Sequence, residues 1–192
     1  MPDISLASWL QRLEHQHEKP IQLGLERADI VWKRLTSDIP ELRSRKEKPK
    51  TISVAGTNGK GSTVACMGAL LLAHKYSVGS YTSPHFLSYN ERIRINGKMV
   101  SNNDLVEAFE IIHDASKGIP LTYFEYGTLA ALKLFLEADI QVQLLEVHEP
   151  CEAADVTCGP HRRQKPTHRR FTQHTNMPHV QIHRGYRLGG II

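Results

Sequence analysis

The chain is short of cysteine, of long apolar runs and, over most of its length, of net charge. Of its 192 residues only Cys66, Cys151 and Cys158 are cysteines, an odd number with no Cys-x-x-Cys pair. A disulfide framework and the common structural zinc patterns are therefore not expected. The longest apolar stretch, Val64 to Ala73, is too short to cross a bilayer. No basic start followed by an apolar run and a small-residue cleavage site opens the chain, so no secretory leader is read and a cytoplasmic protein is expected. The net charge of +4 suggests a nucleic-acid partner until it is located. Residues 1–147 carry 17 Lys+Arg and 17 Asp+Glu, whereas residues 148–192 carry 7 against 3. Six of the eleven histidines also fall after Val147. Composition thus divides the chain into 1–147 and 148–192.

The first part reads as an α/β unit. Leu6, Trp9, Leu10 and Leu13 recur at helical spacing. A second helix is expected from Glu26 to Leu35, and the basic run Arg43 to Lys50 reads as a solvated connector. Strands are expected at Thr51–Ala55, Ser77–Thr82 and Val142–Val147, with a hairpin turn at Asn96-Gly97 after Arg92–Ile95. Ser101 or Asn102 can cap a helix through Ala115, and Phe124–Ala138 is another. Strands alternating with helices imply a doubly wound, mainly parallel sheet with ligands at the carboxyl ends of its strands.

The densest chemistry lies in Val54 to Thr63 (Val-Ala-Gly-Thr-Asn-Gly-Lys-Gly-Ser-Thr), where a strand runs into glycines, a lysine, a hydroxyl and a helix. Backbone amides and a helix N-terminus facing a polyphosphate, with Lys60 as a point charge and a hydroxyl for Mg²⁺, are how a phosphate loop works. The spacing departs from the commonest loop. Only Thr57 and Asn58 separate Gly56 from Gly59, and Gly61 stands between Lys60 and Ser62. Two further features belong at the same sheet end. Ser83 follows the second strand and Glu146 closes the last one, both hard oxygen donors suited to Mg²⁺. Ser83-Pro84 also reads as a turn starter, and Glu146 as an ordinary strand-end charge.

Together these pieces resemble the folylpolyglutamate synthase/dihydrofolate synthase family, a branch of the Mur-ligase group. The resemblance rests on Val54 to Thr63, Tyr81 to Phe86 (Tyr-Thr-Ser-Pro-His-Phe), Asn90 to Ile95 (Asn-Glu-Arg-Ile-Arg-Ile), Leu121 to Thr128 (Leu-Thr-Tyr-Phe-Glu-Tyr-Gly-Thr) and Leu144 to Val147. Ser8 to Leu10 and Leu23 to Arg27 are similar to the bacterial bifunctional members. The resemblance covers about residues 5–147. It implies that Asn58, Gly59, Lys60, Gly61 and Ser62 hold ATP, with Lys60 the catalytic cation. It further implies that Ser83 and Glu146, with Ser62, ligate Mg²⁺. Gln22, Leu23, Leu121, Thr122, Tyr123 and Phe124 would line a pteroate pocket. The aromatic pair Tyr123-Phe124 suits stacking on a flat ring, although Phe124 equally suits the first core position of its helix. The implied reaction transfers the γ-phosphoryl group of ATP to a carboxylate of dihydropteroate or a folylpolyglutamate, and the amine of L-glutamate then displaces phosphate. Such an enzyme serves folate biosynthesis and one-carbon metabolism, and a monomer without membrane or nucleic-acid partners is expected.

After Val147 the pattern breaks. The family continues with a glycine-rich run, whereas this chain reads His148-Glu149-Pro150-Cys151 and does not recover. Residues 148–192 show no sustained period and scattered prolines, so an irregular or disordered, non-homologous tail is expected, the product of a shifted reading frame or of an error in gene prediction. Arg162-Arg163 and Arg169-Arg170 leave open a nucleic-acid contact, and Cys151, Cys158 and His161 a zinc contact, with no common spacing behind either. A truncated ligase of this kind is expected not to turn over alone. The alternatives are a Mur-type ligase of cell-wall precursors and a non-catalytic nucleotide- or nucleic-acid-binding module.

Overall fold

A computed structural model describes residues 5–15, 26–37, 49–147 and 179–184. Two amphipathic helices lead, α1 (Leu6–His15) and α2 (Glu26–Ser37), burying Leu6, Trp9 and Leu13 from one and Ala28, Val31 and Trp32 from the other. Strand β1 (Lys50–Ala55) enters the phosphate loop, and α3 (Lys60–Ala73) leaves it for β2 (Val78–Tyr81). A 3-10 turn at Tyr89–Arg92 precedes the hairpin of β3 (Ile93–Ile95) and β4 (Lys98–Met99), closed by Asn96 and Gly97 at positive φ. Two long helices follow, α4 (Asn102–Ser116) and α5 (Tyr123–Glu137), before β5 (Val142–Glu146). Of the two cap candidates for α4 the structure uses Ser101, which exchanges bonds with Asp104. Thr122 does the same for α5 with Glu125. Among the described residues no helix is long and apolar enough to cross a membrane.

The sheet order is β4-β3-β2-β5-β1-β6, where β6 is His179–Arg184. Its centre is parallel, β2 and β1 flanking β5, and both margins are antiparallel. The last strand departs from expectation, because it lies in the segment read as irregular. Val180 and Ile182 alternate there, and β6 pairs with β1 so that Ile182 stands opposite Ile52 and Val180 opposite Val54. Two alternating apolar residues are too short a pattern to announce a strand, yet an adjacent unpaired edge is enough to recruit them. The other expectations for residues 148–178 and 185–192, and for the connector 43–48, lie outside the described residues.

The two sheet faces are covered unequally. On one, α3 is the one helix among the described residues that packs over Ile52, Val54, Val78, Val142 and Leu144, with Gly68 at the crossing where Leu144 approaches. On the other, α1, α2, α4 and α5 bury a larger core around Tyr81, Phe109, Leu132, Phe135 and Leu145. Alternation along β5 explains why that strand is buried throughout. Leu144 serves the α3 face, Leu145 the other, and the Gln143 amide donates to the Thr51 hydroxyl while its Oε1 has no hydrogen-bond partner among the described residues. Gly79 in β2 has no room for a side chain, since a Cβ would lie 2.5 Å from Phe135 Cδ1. The sheet's carboxyl ends are thereby left at one rim, where the loops carrying the chemistry converge.

Candidate nucleotide site

The loop after β1 is shaped by two glycines. Gly56 has φ 137° and Gly59 φ 75°, conformations that disfavour a Cβ, and Gly59 caps α3 from the left-handed region. Lys60 starts the helix and folds back, its ammonium donating to the Gly56 carbonyl at 2.7 Å. The Lys60 Nζ also lies 3.9 Å from Glu146 Oε1, both side chains being largely buried. Strand β5 ends on that glutamate, so its carboxylate reaches across from the strand next to β1. The Ser83 amide donates to Glu146 Oε2 at 3.1 Å and fixes the carboxylate's second oxygen. A cis bond joins Ser83 to Pro84.

Ser83 and Glu146 edge an open cleft of about 520 Å³, lined also by Gly59, Gly61, Ser62 and Phe86, whereas Lys60, held at the Gly56 carbonyl, is not among its lining residues. Three of the proposed phosphate-binding positions and all three proposed metal ligands therefore come together at one place. Gly61 lines the cleft beside Glu146, where a Cβ would come into ordinary contact with Oε2 at 3.9 Å. Asn58 is exposed on the loop and does not line this cleft. The donor set suits a hard divalent cation: one buried carboxylate and two serine hydroxyls. Among the described residues no three His, Cys, Asp or Glu side chains gather into a metal cluster, so such an ion would depend on phosphate oxygens and water for its remaining ligands.

The residues expected around a pteroate divide differently. Gln22 and Leu23 lie outside the described residues. Leu121 is in the core and the Thr122 hydroxyl is occupied in capping α5, so neither side chain offers a free surface. Both are buried where the helix meets the sheet, while Tyr123 and Phe124 are more open. The physical reason is that a helix start buried against a sheet needs both an apolar anchor and a cap. Tyr123 and Phe124 remain half-buried, their rings 5.6 Å from Tyr89 and 6.1 Å from Tyr81. Phe124 is at once a helix-start residue packed on the core and a partly open ring.

Sequence reasoning missed an aromatic and cationic cluster beside this helix start. The Arg92 guanidinium lies 5.3 Å from the Tyr89 ring centroid and 5.7 Å from that of Tyr123, while its Nε donates to His85 Nδ1 at 2.9 Å. Burial pushes the Tyr89 hydroxyl well above the usual phenol range, so it stays protonated. His85 and Arg92 both stand in the recognised motifs, but their meeting is tertiary and no spacing rule announces it. Glu91 was missed likewise. Its carboxylate accepts the amides of Phe86, Leu87 and Ser88, each at 2.9 Å. Those bonds, the one from Phe86 foremost, hold its carboxyl below the ordinary value of 4.5. A lowered folded value means the fixture is whole above the ordinary carboxylate range and is lost as pH falls through the lowered one. Glu91→Gln is expected to speed amide exchange at Phe86–Ser88 at neutral pH, and the unaltered chain to match it only in acid. Unchanged exchange in the variant would show that the loop holds itself.

Comparison with known proteins agrees with this geometry. No family model matches the chain. The dihydrofolate synthase/folylpolyglutamate synthase of Escherichia coli is 46% identical over 142 residues, 74% of this chain and 32% of that protein. Over most of its own length the chain is thus similar to a dihydrofolate synthase/folylpolyglutamate synthase. The Haemophilus influenzae member is 44% identical over 142 residues, 74% of this chain and 31% of its own length. Among solved structures, Escherichia coli FolC in complex with DHPP and ADP superposes with a TM-score of 0.68 at 44% identity, covering 77% of this chain and 34% of that one. The Yersinia pestis bifunctional synthase complexed with AMPPNP and Mn ion gives 0.66 at 46% identity, covering 77% and 35%. The chain thus spans about a third of the length of these relatives.

Proposed function

We propose that this chain is the nucleotide-gripping part of an ATP-dependent ligase that joins L-glutamate to dihydropteroate, to a folylpolyglutamate, or to both. The observation that carries the reading is the cleft in which Gly59, Gly61, Ser62, Ser83 and Glu146 converge, with the Lys60 ammonium 3.9 Å from Glu146 Oε1, at 46% identity to a synthase of that name. Each group has a task. The loop amides and the α3 N-terminus orient the β- and γ-phosphates. Lys60 moves from the Gly56 carbonyl to the phosphates and balances charge that builds as the γ-phosphoryl group passes to the substrate carboxylate. Glu146, Ser83 and Ser62 would hold a divalent ion, which supplies further charge neutralisation when bound. The resulting acyl phosphate turns a poor electrophile into one that the glutamate amine can attack. Tyr123 and Phe124 offer ring surface for the pterin end of the acceptor.

Magnesium as the cation, a monomeric state, a cytoplasmic location and a domain boundary after Val147 belong to the same proposal. So does inactivity of this chain alone, given that it spans a third of its relatives' length. Calorimetric titration with magnesium nucleotide is expected to show saturable binding that chelation abolishes. A flat titration on folded protein would remove the reading. Glutamate-dependent release of phosphate is expected to be absent, and robust turnover would refute the inactivity.

A further inference from the structure

The short segment between Pro84 and the 3-10 turn presents two apolar side chains to solvent. Phe86 and Leu87 are 90% and 95% exposed, although the three amide bonds to Glu91 pin the backbone of both. Phe86 and Leu87 are adjacent, so together they form a small apolar patch on a held backbone at the cleft's edge. Phe86 borders the same cleft as Gly59, Ser62 and Glu146, and among the residues described along that cleft it is the only aromatic. Neither Tyr123 nor Phe124 reaches the cleft wall. The phosphate end of the site thus has an aromatic of its own, separate from the pair at the start of α5.

We infer that Phe86 is a specificity-determining wall for the ring that bears the reacting carboxylate, favouring a benzoate-type acceptor over one whose carboxylate ends an aliphatic chain. The inference rests on the ligase reading above. Phosphoryl transfer requires the acceptor carboxylate to meet the γ-phosphorus in the cleft at about 3–3.5 Å. In dihydropteroate that carboxylate is bonded directly to a benzoyl ring, so the ring enters the cleft with it. In a folylpolyglutamate the reacting γ-carboxylate closes a flexible glutamyl arm, and the ring stays several bonds away. An aromatic face at the cleft wall therefore distinguishes the two acceptors, by stacking on one and meeting only methylenes of the other. Glu91 acts as a positioning residue in this arrangement, holding Phe86 without touching substrate.

The test is a pair of titrations on the full chain with a saturating non-hydrolysable magnesium nucleotide, one with dihydropteroate and one with tetrahydropteroyl diglutamate. Phe86→Ala is expected to weaken dihydropteroate binding roughly tenfold and diglutamate binding by less than about twofold, with Phe86→Tyr close to the unaltered chain. Nucleotide affinity, measured separately, is expected to stay the same. Equal loss for both acceptors, no loss for either, or a fall in nucleotide affinity would each overturn the assignment. An unaltered chain that binds nucleotide but neither acceptor removes the substrate reading and this inference with it. One that binds both acceptors while Phe86→Ala changes nothing removes the inference alone.

Discussion

Replacement of Lys60 by methionine is expected to weaken magnesium-nucleotide binding about a hundredfold. A charge-assisted hydrogen bond from an ammonium to phosphate contributes roughly 1.5–3 kcal/mol, and 1.4 kcal/mol is a factor of ten. Methionine keeps the length of the side chain and removes only its charge and donors. Lys60 has a second attachment, however, since its Nζ lies near Glu146 in a largely buried corner. Loss of affinity in the single variant could thus come from an unbalanced carboxylate instead of a missing phosphate contact. The double variant Lys60→Met/Glu146→Gln separates the two. If the ammonium binds phosphate, affinity stays low when the carboxylate is neutralised; recovery would mean that Lys60 only balances Glu146. Lys60→Arg keeps the charge in a broad planar group and is expected to fall between, because the turn closes on the ammonium at the Gly56 carbonyl at 2.7 Å. Calorimetry reads the affinities, and a thermal melt confirms that each variant is folded.

The largest stability effect is expected away from the cleft, at Arg27 and Glu125. Glu125 is fully buried, and Arg27 Nε and Nη2 both lie 3.3 Å from its Oε1. The carboxylate also takes the Thr122 amide at 2.7 Å, so one side chain both caps α5 and receives the cation from α2. Removing one member of such a pair leaves a charge in the interior, which costs about 3–5 kcal/mol. Arg27→Met is expected near the lower end, about 3 kcal/mol, because the start of α5 still favours an anion. That corresponds to roughly 10 °C in melting temperature for a domain of this size. Glu125→Gln is expected to cost less, and the double variant less than the sum of the singles, since neutralising the glutamate removes what the arginine was balancing. Urea unfolding of the four proteins gives the coupling directly. Additive losses would mean that the two groups do not act as a pair.

Much of this could be read from residues alone, for reasons particular to each element. The helices α1 and α5 announce themselves by apolar spacing, and β5 by Val142, Leu144, Leu145 and Val147 falling within six residues. The phosphate loop was legible because its chemistry is local: glycines, lysine and hydroxyl lie within one turn of chain. Ser83 and Glu146 were legible only as candidates, and sheet topology is what sets them together, with β5 between β1 and β2. What stayed hidden depends on folding distant pieces together. Nothing in the order of residues tells that Arg27 meets Glu125, that Arg92 lies over Tyr89 and Tyr123, or that Glu91 pins Phe86. Leu121 and Thr122 show that a motif identifies a place in the chain, while the packing around it is a tertiary outcome.

The ribbon His179–Arg184 alongside β1 has a practical consequence. The margin it occupies is a ladder of main-chain donors and acceptors, in register from Lys50 to Ala55, and main-chain groups are the same in every peptide. An extended segment of another composition, even one added as a free synthetic fragment, should therefore be able to dock in its stead. The strand that feeds the nucleotide loop could then be fitted with an interchangeable splint and so used as the receiving half of a split binding sensor.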